Sequence, residues 1–473
     1  MPGPERNAFA LLTGCRDEPI LGRLFQSLGE PIVNIRPIRA ARLAAAAVAC
    51  VLLSLSAATA ATAAPAAIAS LGDLDMQARA KTRATARVPL APATSDALRG
   101  TETFEPAGSG RVPNYLRALA VKPSVVKPFA HLIRTFTYEG TLSPALKLAM
   151  ATRIAQVNRS AYATAHLVRL LKNTGPDGEA LLVRLRANQL DQLAPADRLA
   201  LRWAELQTQD IHGMTDEEFR QLRGYYSDSE VVELTFTVCF FNYFSRMVEG
   251  LGLPVEPWVL DATAKPAAAP AWTRDRVPAR VALISDAEID GGSAALRAAR
   301  QPVAGNAGLG IGMANSQRAM MRVPALAAAW RDFGAANGTS QIGRDILLQI
   351  SFAVSMVNGC RYCTIHQVVG LRRIGVDATK LLAMEKDDSA LTPREKTAVL
   401  FARKLTSTPA AVTDADYAPV RKEFGEQGAL EVVLQTCNFA FMNRFTDGLH
   451  LPSEDEAIKI YREVYGREGL RRQ

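Results

Sequence analysis

From about residue 111 to 466, apolar residues recur at the three- and four-residue spacing of helices, and Pro or Gly interrupts them every 15 to 25 residues or so. Leu391-Thr392-Pro393-Arg394-Glu395 is a helix start, with Thr392 as N-cap, Pro393 in the first helical position and Glu395 closing a capping box. Thr413-Asp414-Ala415-Asp416 opens another short helix, and Cys360 to Arg373 reads as helix after the break at Asn358-Gly359. Leu430 to Leu449 carries only Glu431, Arg444 and Asp447 as charges, so it is expected to be a central buried helix with Arg444 and Asp447 paired at i,i+3. The pattern offers one short strand, Val281 to Ile284. The expected fold class is all-α.

The same pattern occurs twice. Val157-Asn158-Arg159-Ser160-Ala161-Tyr162-Ala163-Thr164-Ala165-His166 aligns without a gap on Val357-Asn358-Gly359-Cys360-Arg361-Tyr362-Cys363-Thr364-Ile365-His366. Upstream, Asn114-Tyr115-Leu116-Arg117-Ala118-Leu119 matches Asn315-Ser316-Gln317-Arg318-Ala319-Met320. Downstream, Leu193 to Pro254 matches Leu391 to Pro452 at a constant offset of 198, pairing Glu233 with Glu431, Cys239 with Cys437 and Arg246 with Arg444. This is a duplicated domain of roughly 150 residues rather than a short solenoid unit. The expected organisation is a leader over 1–64, a flexible tether over 65–110, a first repeat over 111–260, a linker over 261–312, a second repeat over 313–466 and a basic tail over 467–473.

Composition changes this picture in three places. Hydrophobic residues make up 48% and aromatics only 7%, which describes an aliphatic helical core able to fold without staples. The net charge of +8 is inflated by arginines outside the repeats, and no basic stripe interleaved with aromatics occurs, which argues against a nucleic-acid partner. Arg36, Arg39 and Arg42 precede an apolar run from Leu43 to Leu55 and then a stretch of small residues to Pro65, the arrangement of a secretory signal; export is expected, with an Ala-rich membrane anchor as the alternative. Cys15 and Cys50 then leave with the leader, and Cys239 and Cys437 sit at equivalent apolar positions as core residues.

Candidate chemistry lies where the repeats differ. Cys360 and Cys363 replace Ser160 and Ala163, and at about 100° per residue Cys360, Cys363 and His366 share one side of a helix start. A helix N-terminus and a nearby imidazole both favour thiolate, and a second cysteine at i+3 can resolve a sulfenic acid into a disulfide. A structural disulfide, a zinc site on these three residues, and a core histidine shared with His166 remain alternatives.

Leu348 to Cys363, followed by Gly375-Val376-Asp377, together with Asn114 to Pro123 and its counterpart near Pro324, resemble the signature of the carboxymuconolactone decarboxylase and alkylhydroperoxidase D superfamily; the likeness spans roughly 300 residues in tandem. The resemblance implies two all-helical domains forming an internal pseudo-dimer, homo-oligomers, and redox chemistry needing no metal or organic cofactor. It implies reduction of an organic hydroperoxide at the expense of an external dithiol, with Cys363 attacking, Cys360 resolving and His366 assisting proton transfer. Lactone or decarboxylase chemistry, and a scaffold with an inert disulfide, are the rival readings. Two positions depart from the family: Leu348 stands where a relay glutamate is usual, and Gln367 where the histidine is usual. Asp345 and Glu431 are the carboxylates that could stand in for the missing acid.

Overall fold

The computed structural model describes residues 68–466 apart from 83, 102–110, 261–278, 300–312 and 338–339. The leader over 1–64 and the tail over 467–473 lie outside the described residues. Within the described residues the protein is all-helical, without a strand. Val281 to Ile284 is irregular rather than a strand, because its groups meet side chains of other segments instead of a neighbouring strand: Ala282 N donates to Asp228, and Ala282 O and Ile284 O accept from Arg322 and Arg318.

An opening helix α1 (Leu71–Lys81) precedes the first repeat. That repeat runs α2 (Asn114–Leu119), α3 (Pro123–Tyr138), α4 (Pro144–Val157), α5 (Ala161–Lys172), α6 (Pro176–Ala187), α7 (Pro195–Gln209), α8 (Asp216–Arg223) and α9 (Asp228–Gly250). Two short helices, α10 (Asp286–Asp290) and α11 (Ala294–Ala299), lead into the second: α12 (Asn315–Met320), α13 (Pro324–Asn337), α14 (Arg344–Asn358), α15 (Arg361–Arg373), α16 (Ala378–Lys386), α17 (Pro393–Ser407) and α18 (Asp414–Gly448), closed by α19 (Asp455–Tyr465). Helix α18 corresponds to α8 and α9 together, with the break between them reduced to a kink at Gly425 (φ 71°).

Local chemistry sets these boundaries. Thr392 and Glu395 form the expected capping box on α17 with Pro393 in its first turn. Thr215 with Glu218, and Ser227 with Glu230, do the same for α8 and α9. The corner between α14 and α15 is a Schellman-type ending: Gly359 is left-handed at φ 70°, and Cys360 N donates back to Ser355 O at 3.0 Å. Arg159 takes that corner in the first repeat at φ 55°, a conformation that costs an L-residue about 1 kcal/mol relative to Gly.

Counterpart helices pack on each other, α9 on α18 and α3 on α13. Phe236 meets Phe445 at 5.1 Å and Phe441 at 6.1 Å between ring centroids, and Phe129 meets Phe333 at 5.5 Å. Such pairs are worth about 0.5–1.5 kcal/mol each beyond the area they bury. The two repeats thus share one apolar core, while a smaller cluster around Phe352, Ile365 and Tyr461 belongs to the second alone. The exchange is reciprocal. Arg246 donates to Thr406 O and Arg444 to Thr208 O, each pair related by the offset of 198. Arg444 also donates to Ala440 O, so its guanidinium is held by main-chain carbonyls and not by the Asp447 pairing expected at i,i+3.

The stretches read as tether and linker are ordered arms where they are described. Ala86-Arg87-Val88 and Ala279-Arg280-Val281 run the same course. Arg87 N donates to Leu251 O at 3.0 Å and Arg280 N to Leu449 O at 2.8 Å. Each guanidinium then crosses to the other repeat, Arg87 to Val412 O and Asp414, Arg280 to Met214 O and Asp216. Helix α1, inside the supposed tether, buries Leu71, Leu74 and Ala78 against α5. Hydrogen bonds to carbonyls hold these arms, and such bonds leave no apolar periodicity in a sequence.

Candidate functional site

Cys360 is the N-cap of α15, and its Sγ accepts from Cys363 N at 3.1 Å, as Ser160 Oγ accepts from Ala163 N at 3.3 Å. Serine and cysteine therefore share a local role, and the exchange turns a capping hydroxyl into a capping thiol. Cys363, one turn on, faces the same side, and both sulfurs lie 3.2 Å from Thr446 Oγ1 on α18. That hydroxyl also reaches Met442 O at 3.0 Å, and by turning it can give its proton to either sulfur. The counterpart of Thr446 is Val248, so the polar group facing the thiols exists only in the repeat that has thiols.

Next along α18, the Asp447 carboxyl lies close enough to the Cys360 thiol for each to perturb the other. Burial pushes this carboxyl up to about 6, opposed by His212 and by Cys360. Its Oδ2 is buried without a hydrogen-bond partner. Cys360 is itself pushed up, first by burial, then by the bond it shares with Cys363 and by the charge of Asp447. This corrects the expectation that the helix N-terminus and a nearby imidazole would lower it: full burial removes the solvation a thiolate needs, one turn of helix does not replace it, and His366 is bonded elsewhere. Cys363 keeps 3% exposure and Cys360 none, which makes Cys363 the sulfur nearer to an incoming molecule.

His366 is placed differently from its expected role. Its Nδ1 donates to Tyr362 O at 2.7 Å, its Nε2 meets Glu454 at 2.6 Å, and its ring stacks on Tyr362 at 4.1 Å, so neither thiol is among its hydrogen-bond partners. Glu454 also receives the Tyr362 hydroxyl at 3.2 Å and Asn315 N at 2.7 Å. The first repeat repeats this cluster: His166 and the Tyr162 hydroxyl both meet Glu256 at 2.9 Å, and Asn114 N donates to the same carboxylate. A histidine–glutamate–tyrosine clasp present with and without thiols ties helix α5 or α15 to the start of its repeat. His366 therefore does not join the two cysteines as a third zinc ligand, and among the described residues no three His, Cys, Asp or Glu side chains converge to hold a metal ion.

Of the carboxylates weighed for the missing acid, Glu431 is committed elsewhere, in a buried ion pair with Lys122 at 2.9 Å and a bond from Ser340 at 2.8 Å. Asp345 is exposed at the far end of α14 from Cys360. Gln349, beside Leu348, donates to Glu395 at 2.7 Å. The acid that reaches the thiols is Asp447, aligned with Glu249 and read from the sequence only as an ion-pair partner. Glu256 and Glu454 lie at the same offset of 198, two residues past the aligned block, and an acid repeated at that offset was the signal that could have found them. Cys239 and Cys437 are unbridged and fully buried, as core residues are. An open cleft of about 370 Å³, lined by Asp177, Arg184, Gln192 and Asp197 among others, lies in the first repeat and shares no residue with the thiol site.

No family model and no curated protein matches the chain. Its chemical class is therefore carried by the site: two unbridged thiols at i,i+3 on a helix start, both facing one hydroxyl, with a half-satisfied carboxyl beside the first.

Proposed function

We propose that this chain is a dithiol oxidoreductase of the alkylhydroperoxidase D-like kind, a thiol-dependent hydroperoxide reductase working through Cys360 and Cys363. The observation that carries the reading is the convergence of both sulfurs on Thr446, next to Asp447, in one repeat only. The Cys363 thiolate attacks the terminal oxygen of an organic hydroperoxide. The O–O bond breaks, leaving a sulfenic acid on Cys363 and an alkoxide that takes up a proton to become the alcohol. Cys360 gives its proton to Asp447 and attacks the Cys363 sulfur. The disulfide forms and hydroxide leaves, taking the proton back from Asp447 as water. An external dithiol returns two electrons and two protons. No group of the site calls for a metal or organic cofactor in these steps.

The first repeat, with Ser160 and Ala163, acts as a structural partner, supplying inside one chain the contact a second subunit would otherwise make. If the leader directs export, the pair works under oxidising conditions and depends on its reductant to return from the disulfide.

The test is thiol counting on the fully reduced protein, before and after one equivalent of cumene hydroperoxide, with rates from stopped flow. Loss of two thiols, mapped to Cys360 and Cys363 and much faster than for free cysteine, is expected. Reaction at the free-cysteine rate would sink the proposal and favour an inert pair, and turnover of a lactone that survives loss of both cysteines would favour decarboxylase chemistry instead.

A further inference from the structure

The thiol site is not built by its own repeat alone. Helix α7 of the first repeat ends in a tight turn, in which Gly213 N donates to Asp210 O and His212 N to Asp210 Oδ1, both at 2.9 Å. This turn faces the corner that delivers Cys360: a Cβ added at Gly359 would lie 3.3 Å from His212 Nε2. His212 is also among the groups whose charge Asp447 feels, together with Asp210 and Arg280.

The counterpart corner shows that this is not a general feature of the fold. At the offset of 198, Asp210-Ile211-His212 corresponds to Thr408-Pro409-Ala410, whose turn Pro409–Ala411 packs against α9. Gly359 corresponds to Arg159. Beside the thiols, the corner has no side chain and the turn has a histidine; beside Ser160, the corner has an arginine and the turn has an alanine. The two positions differ together, and in the sense that makes room for an imidazole only where there is sulfur.

We propose that His212, carried by the thiol-less repeat, is a positioning residue of the Cys360–Cys363 site: it seats against Gly359 and, through Asp447, keeps a negative charge beside Cys360 ready to accept the thiol proton. The inference rests on the dithiol reading of that site. Asp447 is then faced by Cys360 from α15, His212 and Asp210 from the turn after α7, and Arg280 from the arm. Asp216 at the start of α8 binds Arg280 at 3.3 Å. His450, just past α18, is held neutral, pushed down to about 3 by burial and by Arg280. His212 and Asp210 also give the first repeat, which has no cysteine at Ser160 or Ala163, a part of the polar lining of this site.

The test uses the full reduced chain and a water-soluble aromatic disulfide as oxidant, so that it does not depend on peroxide chemistry. The first equivalent of released aromatic thiol reports attack by one cysteine, and the second reports closure by the other. His212→Gln is expected to slow the second release roughly three- to ten-fold at pH 5, by less than about two-fold at pH 7, and to move the acid limb of its pH profile up by about half a unit to one unit. The first release should stay within about two-fold. In an Asp447→Asn background the His212→Gln change should add nothing, since its route of action is gone. An unchanged second release and pH profile in both His212→Gln and His212→Asn, or a full effect that persists in the Asp447→Asn background, would overturn the inference. Absence of any second release from the parent chain would instead refute the dithiol reading, and this inference with it.

Discussion

The two repeats place a carboxylate at the same point of the same long helix and treat it in opposite ways. In the first, both oxygens of Glu249 are satisfied, one by the Ser160 hydroxyl at 2.8 Å and the other by Lys81 of α1 at 2.5 Å. In the second, Asp447 is one methylene shorter, sits beside the Cys360 thiol and leaves Oδ2 buried without a partner. A closed hydrogen-bond chain ties a helix down. An open one stores a proton acceptor next to sulfur, at a cost to stability of the kind functional sites carry. Val248 against Thr446, and Ala163 against Cys363, continue the contrast: one repeat fills the position with carbon, the other with groups that exchange protons.

The largest effect expected is at the thiols. Cys363→Ser should reduce peroxide consumption to the background of the uncatalysed reaction, by stopped flow. Installing Ser160→Cys with Ala163→Cys in the first repeat should create no comparable activity, because Glu249 stays locked by Lys81. Activity gained by that double variant would break the comparison.

Asp447→Asn comes next. Disulfide closure should slow by about a hundred-fold, the lower end of the usual worth of a positioned base. Stability should move the other way. The folded-state value of about 6 lies above the ordinary carboxyl value near 3.9, so the fold favours the neutral form. That contribution is complete below about pH 4 and is lost as pH rises through about 6. Asn cannot ionise, so the variant should be more stable than the parent at pH 8, by about 1–3 kcal/mol, with the gain gone at pH 4; denaturant melts across that range read the sign.

The matching change in the first repeat, Glu249→Gln, should destabilise by about 1–2 kcal/mol at pH 7, since it removes the charge that Lys81 meets and Ser160 leans on. Opposite signs for these two substitutions would sharpen the contrast, and equal signs would remove it. The smallest difference between repeats is expected at the clasps. Glu256→Gln and Glu454→Gln should each lower stability by about 1–3 kcal/mol. Glu454→Gln should leave the rate of thiol oxidation within about two-fold. A rate loss above ten-fold would return His366 to the proton path.

Much of the fold was legible before any tertiary structure. Apolar spacing and the Thr392–Glu395 capping box place α17, and the Asn358-Gly359 break places the corner ahead of Cys360, because both depend on residues within one helical turn of each other. The alignment of Ser160 with Cys360 marked an N-cap at which a hydroxyl gives way to a thiol. The arms were not legible: Arg87 and Arg280 anchor them through carbonyls of segments more than 160 residues away, which no local pattern records. Helical phase put His366 on the side of the thiols and left a structural role shared with His166 open, because the rotamer is decided by the glutamate it meets.

By itself, then, the sequence determined a duplicated, all-helical chain with thiols at the N-cap and first turn of one helix only, since periodicity, caps and internal identity are local or self-referential. Which acid faces the sulfur and which repeat supplies the facing imidazole were decided by the packing of the repeats on each other, which brings together residues as distant as His212 and Gly359, and which histidine turns away was decided by Glu454.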